Sequence, residues 1–246
     1  MPRVDRELVA RGLVETRARA QALIAAGAVL IDDQIAAKPA QAVDSKSNLS
    51  ITRNPLPYVS RAALKLRHAL QTFGLTPVER VALDLGASTG GFTQVLLEEG
   101  AREVWAIDAG RDQLHPSLRD DPRVRAIEGL NARDLTADHV PQPDWVVADL
   151  SFISLEKALP PALSLAKTGA TLVCLVKPQF EVGRDFVGKG GIVRDEAATS
   201  RALERIKAFL IASGWRGLGD CESPIRGGDG NREFLIAAQK MTQHSA

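Results

Sequence analysis

From Val81 onward the chain alternates short apolar runs with helix-patterned segments, and this alternation restricts the fold more than any other feature of the sequence. VALDLG, EVWAID, RVRAIE, DWVVADL, ATLVCLVK and REFLIAAQ have the length and apolar content of buried strands. GFTQVLLEEG, closed by Gly100, has helical spacing, as does Glu196 to Ser213 with Leu203, Ile206 and Leu210 on its inner face. Repeated βα units imply an open, mostly parallel α/β sheet with helices on both faces. The final run is expected to be antiparallel. With 246 residues, 45% of them hydrophobic, the chain can bury such a sheet and still carry a small appendage.

The appendage is the first part of the chain. Val4 to Arg11 forms a short amphipathic segment ending at Gly12. A second starts at Thr16, a plausible N-cap, places Ala20, Leu23 and Ile24 on one face and stops at Gly27. AVLI, a DDQ turn and NLSIT add short strands, giving an αα-β unit that would be marginal alone. NPLP (54–57) reads as a linker. Ser60 then caps a helix with Leu66, Leu70 and Phe73 on one face and Arg61, Lys65 and His68 on another. The expected division is 1–53, a linker at 54–59, and 60–246.

Bulk properties exclude several classes. A net charge of +1 points neither to nucleic acid nor to membrane. No run approaches the roughly 18 apolar residues of a spanning helix, and the charged MPRVDRELVARGL does not read as a secretory signal. Cys174 and Cys221 have no metal spacing and suit a reducing cytoplasm, which is the expected location. At 4%, aromatic residues are too few for an extended base-stacking platform.

DLGASTGGF (84–92) joins the first strand of the sheet to its helix. Its glycines permit a tight turn and close approach of backbone to a ligand at the carboxyl-end crevice. The next strand ends in Asp108, placed to accept hydrogen bonds from two ribose hydroxyls. The motif is neither GxGxxG nor a Walker loop. Asp84, Gly86, Ala87, Ser88, Thr89, Gly90, Gly91 and Phe92, with Asp108, fit S-adenosylmethionine, which has no pyrophosphate to cradle; a ligand-free turn and a nicotinamide site are the alternatives.

The later strands end in polar groups: Asp149 after DWVVA, Lys177 after TLVCLV, and Glu233 at the start of the antiparallel strand. Lys65 lies on the helix before the domain. Singly, Lys65 reads as a solvated helix lysine, Asp149 as a strand-end cap and Glu233 as an edge charge. Lys177 is the hardest of the four to read that way, because it interrupts an apolar run. Together the four suit methylation of a ribose 2′-hydroxyl: two ammonium groups stabilise developing alkoxide charge, and two carboxylates hold them in place. A desolvated lysine can also serve as the base. This chemistry requires no metal.

YVSRAALKLR (58–67), DLGASTGGF, GLNARDL (129–135), ADLSFISL (148–155), VKPQFEVG (176–183) and GKGGIVRD (188–195) together resemble the TlyA/hemolysin-A family of ribosomal RNA 2′-O-methyltransferases along nearly the whole chain. The resemblance implies a Rossmann-like class I fold similar to FtsJ, of about seven strands with the last antiparallel. It implies a catalytic tetrad at Lys65, Asp149, Lys177 and Glu233, and Asn131 beside the adenine of S-adenosylmethionine. Residues 1–53 resemble an S4 RNA-binding domain, with Arg17 and Arg19 where that module meets phosphate. Asp32-Asp33 departs from the Asn/Asp-Gly common in S4 modules, implying a looser turn or a weaker RNA contact.

Residues 1–60 hold 8 Lys/Arg against 6 Asp/Glu, and 61–67 add Arg61, Lys65 and Arg67, making 11 against 6. The expected RNA surface therefore spans both parts, through Arg3, Arg6, Arg17, Arg19, Arg61 and Arg67.

The expected activity is transfer of methyl to a cytidine 2′-hydroxyl of ribosomal RNA. The partner is a ribosomal subunit, the large one favoured by the short termini, and the enzyme is expected to act as a monomer without membrane contact. A catalytically inactive RNA-binding protein is the alternative. A membrane-lytic protein is disfavoured by the lack of a cationic amphipathic helix. Base methylation is disfavoured because Cys174 lies within a strand and Asp149-Leu-Ser-Phe replaces the Asn/Asp-Pro-Pro-aromatic turn of many N-methyltransferases.

Overall fold

The computed structural model describes residues 1–52 and 58–242, so the NPLP stretch of the expected linker lies outside the described residues. In the first unit, α1 (Val4–Ala10) and α2 (Arg17–Ala25) cover a three-stranded antiparallel sheet of order β2-β1-β3, built from β1 (Val29–Ile31), β2 (Gln34–Ile35) and β3 (Leu49–Ile51). Val4, Leu8, Ala20, Ile24, Val29, Ile31 and Leu49 form its core. The Thr16 hydroxyl accepts the Arg19 N–H at 3.1 Å, the expected cap.

The turn between β1 and β2 is not loose. Asp32 (φ 48°) and Asp33 (φ 66°) are both left-handed and close a two-residue hairpin with Ile31 opposite Gln34. The Asp32 carboxylate accepts the Asn48 N–H at 2.8 Å, which ties the turn to the residue just ahead of β3.

The second unit opens with α3 (Ala62–Phe73), where Ser60 Oγ accepts the Ala62 N–H at 3.2 Å just ahead of the helix. There follow β4 (Val81–Leu85), α4 (Gly91–Glu98), β5 (Glu103–Asp108), α5 (Pro116–Arg119), β6 (Val124–Glu128), β7 (Trp145–Ala148), α6 (Leu155–Ala158), α7 (Pro160–Leu165), β8 (Thr171–Val176), α8 (Pro178–Glu181), α9 (Glu196–Ala212), β9 (Trp215–Glu222) and β10 (Phe234–Lys240). They build a seven-stranded sheet of order β6-β5-β4-β7-β8-β10-β9. Strands β4 to β8 are parallel, and β10 runs antiparallel to both β8 and β9.

Every residue of β4, β7 and β8 is buried, as expected for central parallel strands covered on both faces. α3 and α4 pack with one face, and α6, α7 and α9 with the other. β9 escapes the sequence pattern. It is an edge strand whose inner face is anchored by Trp215, while Gly217, Gly219 and charged residues break the apolar run. Its pairing with β10 shifts register between Ala237 and Ala238.

This topology positions the site. The carboxyl ends of β4, β5, β7 and β8 share one sheet edge. Phe234 pairs with Val176, so the antiparallel β10 brings Glu233 to that edge opposite Lys177.

Candidate active site

The β4–α4 loop is shaped by two left-handed glycines, Gly86 (φ 81°) and Gly90 (φ 98°), the latter capping α4. A Cβ on Gly86 would lie 2.6 Å from the Asp149 carbonyl oxygen, so only glycine lets the β4 and β7 exits approach this closely. Asp84 lies beneath the loop, fully buried, with one carboxylate oxygen accepting the Thr93 hydroxyl at 2.6 Å and the other without a protein partner. Burial pushes its carboxyl up to about 7, with the Thr93 bond opposing and the Asp149 charge adding.

One cavity, of about 380 Å³, opens between the ends of β4 and β5; Gly86, Ser88, Asp108, Asn131 and Asp149 line it with the apolar Ile107, Leu130, Leu150 and Ile153. Asp108 accepts the Ser88 N–H at 2.8 Å and the Gly110 N–H at 2.6 Å, which aim its carboxylate and leave further lone pairs for hydroxyls. Asn131 caps the following turn by accepting the Arg133 N–H at 3.2 Å. A carboxylate beside apolar walls fits the ribose and adenine of S-adenosylmethionine.

A second cavity, of about 450 Å³, adjoins the first through Gly86, Ser88, Asp149 and Ser151. Ala87, Thr89, Gly91 and Phe92 of the loop line it, as do Arg61, Lys65 and Lys177.

Lys65 is not the solvated helix lysine that its position alone suggests. It is 8% exposed, and its ammonium donates to Glu233 at 2.6 Å. Glu233, 2% exposed, lies against Gly227, where any Cβ would strike the carboxylate. Lys177 Nζ lies 2.6 Å from Asp149 Oδ1 and donates to Ser151 Oγ at 2.8 Å. The two pairs are electrostatically joined. Burial alone would raise the Asp149 carboxyl, but Lys65 and Lys177 together hold it below its ordinary value. Burial lowers the Arg61 guanidinium, and the Glu233 charge partly restores it. The sequence-predicted tetrad therefore converges, with Arg61 giving three cations against two carboxylates.

Three residues were not singled out from the sequence. Ser151 binds Lys177. Phe152, 93% exposed and left-handed at φ 66°, holds its ring 5.3 Å from Phe180 at the cavity rim. Glu181, 4% exposed, accepts the Leu155 N–H at 2.9 Å and so ties the start of α6 to α8, four residues beyond Lys177. Only the stretches ADLSFISL and PQFEVG marked their neighbourhood. Cys174 is fully buried, and burial pushes its thiol up to about 12, which leaves no accessible thiolate for base chemistry.

Besides Arg61, the five arginines expected to meet RNA divide into three groups. Arg3 and Arg17 converge on the fully buried Asp5 at 3.0 and 2.8 Å, and these bonds, with Gln21, hold its carboxyl well below the usual range despite burial. Arg67 pairs with Glu98 and Glu99 and stacks 5.5 Å from the Tyr58 ring centre. Arg6 and Arg19 are exposed and form no ion pair among the described residues. Those residues include no helix long and apolar enough to cross a membrane and no cluster of three or more potential metal ligands.

Residues 58–240 match the FtsJ-like methyltransferase family and residues 2–48 the S4 domain. The chain is 46% identical to the 16S/23S rRNA (cytidine-2'-O)-methyltransferase TlyA of Mycobacterium tuberculosis, across 99% of this chain and 91% of that protein. It is 36% identical to the 23S rRNA (cytidine-2'-O)-methyltransferase TlyA of Campylobacter jejuni, across 72% of this chain and 69% of that protein. A solved structure from Streptococcus thermophilus, provisionally named a hemolysin, superposes with a TM-score of 0.76 at 40% identity, covering 98% of this chain and 88% of that one. The glycine-shaped loop, the seven-stranded sheet and the paired lysines thus accompany similarity along the whole chain, which belongs to the FtsJ-like methyltransferase family and carries an S4 domain at its N-terminus.

Proposed function

We propose that the protein transfers a methyl group from S-adenosylmethionine to the 2′-hydroxyl of a cytidine in ribosomal RNA, with the large-subunit RNA favoured. The observation that carries this reading is the meeting of two lysine–carboxylate pairs, Lys65–Glu233 and Lys177–Asp149, at the wall of a cavity adjoining the ribose-suited one. S-adenosylmethionine supplies an electrophilic methyl on its sulfonium. A ribose hydroxyl is a weak nucleophile, and Lys65 and Lys177 stabilise the negative charge that grows on its oxygen during attack. As the methyl–sulfur bond breaks and the methyl–oxygen bond forms, the hydroxyl proton is relayed through Lys177 to Asp149, which the lysines hold ionised beforehand and which until then fixes Lys177 in place. Glu233 fixes Lys65 from beneath. Burial of Lys65 and Glu233 strengthens the attraction between them.

Arg61 and the exposed Arg6 and Arg19 attract the RNA backbone, and Phe152 offers a flat exposed ring to the target base. Cytidine and ribosomal RNA are the acceptors named for the Mycobacterium tuberculosis and Campylobacter jejuni relatives, which differ in whether 16S RNA is included.

Purified protein should be incubated with cofactor and unmodified large- or small-subunit particles, and the RNA digested to nucleosides for mass spectrometry. The expected product is 2′-O-methylcytidine in large-subunit RNA. A base-methylated nucleoside would overturn the assigned reaction. RNA binding without product would favour an inactive RNA-binding protein.

A further inference from the structure

A third cavity, of about 390 Å³, lies behind the segments that bound the catalytic one. Lys177 and Ile225 line the catalytic cavity, and the residues that follow them, Pro178 and Arg226, line this one. Its apolar lining comes from Ile192, Leu203 and Phe234, and its polar lining includes Arg194, Arg226 and Arg232. Arg232 pairs with Glu222 at 2.7 Å and Glu196 at 3.5 Å, with its guanidinium 5.5 Å from the Phe234 ring centre. Arg194 forms no ion pair among the described residues. Arg226 donates to the Gly230 carbonyl at 3.3 Å and acts on Glu222 only through its field.

The cavity is built in advance. Asn231, 1% exposed, accepts the Val193 N–H at 2.8 Å and donates to the Gly191 carbonyl at 2.8 Å. This amide ties the segment bearing Arg194 to the one that leads into Glu233. Substrate contacts here would therefore rest on the same support as the tetrad.

We propose that this cavity receives the nucleotide adjacent to the target in a single-stranded stretch of the RNA substrate, its base over the apolar lining and its phosphate against Arg194 and Arg226. The inference rests on the reaction proposed above. Unpaired RNA is recognised by inserting splayed bases over apolar and aromatic surfaces while cations hold the backbone. Consecutive residues on two segments, Lys177 then Pro178 and Ile225 then Arg226, line first one cavity and then the other, an arrangement that suits two successive nucleotides. A duplex could not occupy both, so the site selects an unpaired flank and sets the register of the target.

The test compares wild type, Arg194→Ala, Arg226→Ala, the double alanine variant and Arg194→Glu on large-subunit particles and naked large-subunit RNA. KM for RNA, kcat and salt dependence are measured, with cofactor binding as the check on folding. The expected result for the double variant is a KM raised roughly tenfold or more, with cofactor affinity unchanged and a salt slope reduced by about one to two. The charge reversal should exceed the single alanine change. Wild-type transfer with unaltered KM and slope in the double variant and in Arg194→Glu overturns this site alone. Absence of transfer to any RNA by the wild type overturns the proposed reaction and this site with it.

Discussion

Lys65 and Glu233 meet at 2.6 Å although 168 residues separate them, one on the helix that opens the methyltransferase domain and the other at the start of its antiparallel strand. Both are buried. Removing one partner leaves the other charged and desolvated, which in buried pairs costs about 3–5 kcal/mol. Glu233→Ala should therefore lower unfolding free energy by about that amount, and Lys65→Ala/Glu233→Ala should lose less than the two single losses combined. Chemical denaturation of all four proteins checks this; additive losses would show that the pair is not coupled.

Gly86 combines a left-handed backbone with near-contact to the Asp149 carbonyl. Gly86→Ala should cost about 1–3 kcal/mol through strain. Because the loop lines both cavities, cofactor affinity should fall at least about tenfold by calorimetry, a change of about 1.4 kcal/mol.

Two buried carboxyls sit far above their ordinary values, Glu181 and Asp84, each pushed up to about 7 by burial. A native carboxyl with a raised pKa holds its proton at pH values where the unfolded chain has released it. Its stabilising contribution is therefore complete below the unfolded value near 4 and is lost as pH rises through about 7. Melting temperature should fall between about pH 4 and pH 7, and Glu181→Gln should lessen that fall. A steeper fall in the variant would contradict the assignment.

Phe152 is almost fully exposed, yet it is held in a strained conformation at the cavity rim. Base–aromatic stacking contributes about 1–3 kcal/mol per base, so Phe152→Ala should raise KM for RNA by about 5- to 150-fold.

The central strands were legible because continuous apolar runs such as TLVCLV have no stable place except between two helical layers. The tetrad was legible because polar groups closed those runs in phase with the sheet edge. β9 was not, since an edge strand buries little and tolerates glycine and charge. The burial of Lys65 was invisible for another reason: its partner is distant in sequence, and its helix position alone looks solvated. Glu181 and Ser151 act through hydrogen bonds that depend on how two loops meet, which periodicity does not encode. At Asp32-Asp33 two left-handed aspartates close a tight two-residue turn where the pattern suggested a loose one.

The most direct measurement is single-turnover methyl transfer from tritiated S-adenosylmethionine to large-subunit RNA, wild type beside Lys177→Ala. Lys177 touches both Asp149 and Ser151 at the cavity wall, and its loss should remove stabilisation of the developing oxyanion while leaving the cofactor cavity intact. The expected result is 2′-O-methyl label with wild type, a rate about 10²–10³-fold lower in the variant, and equal cofactor binding by both. Equal rates would contradict the role of the paired lysines in the chemistry.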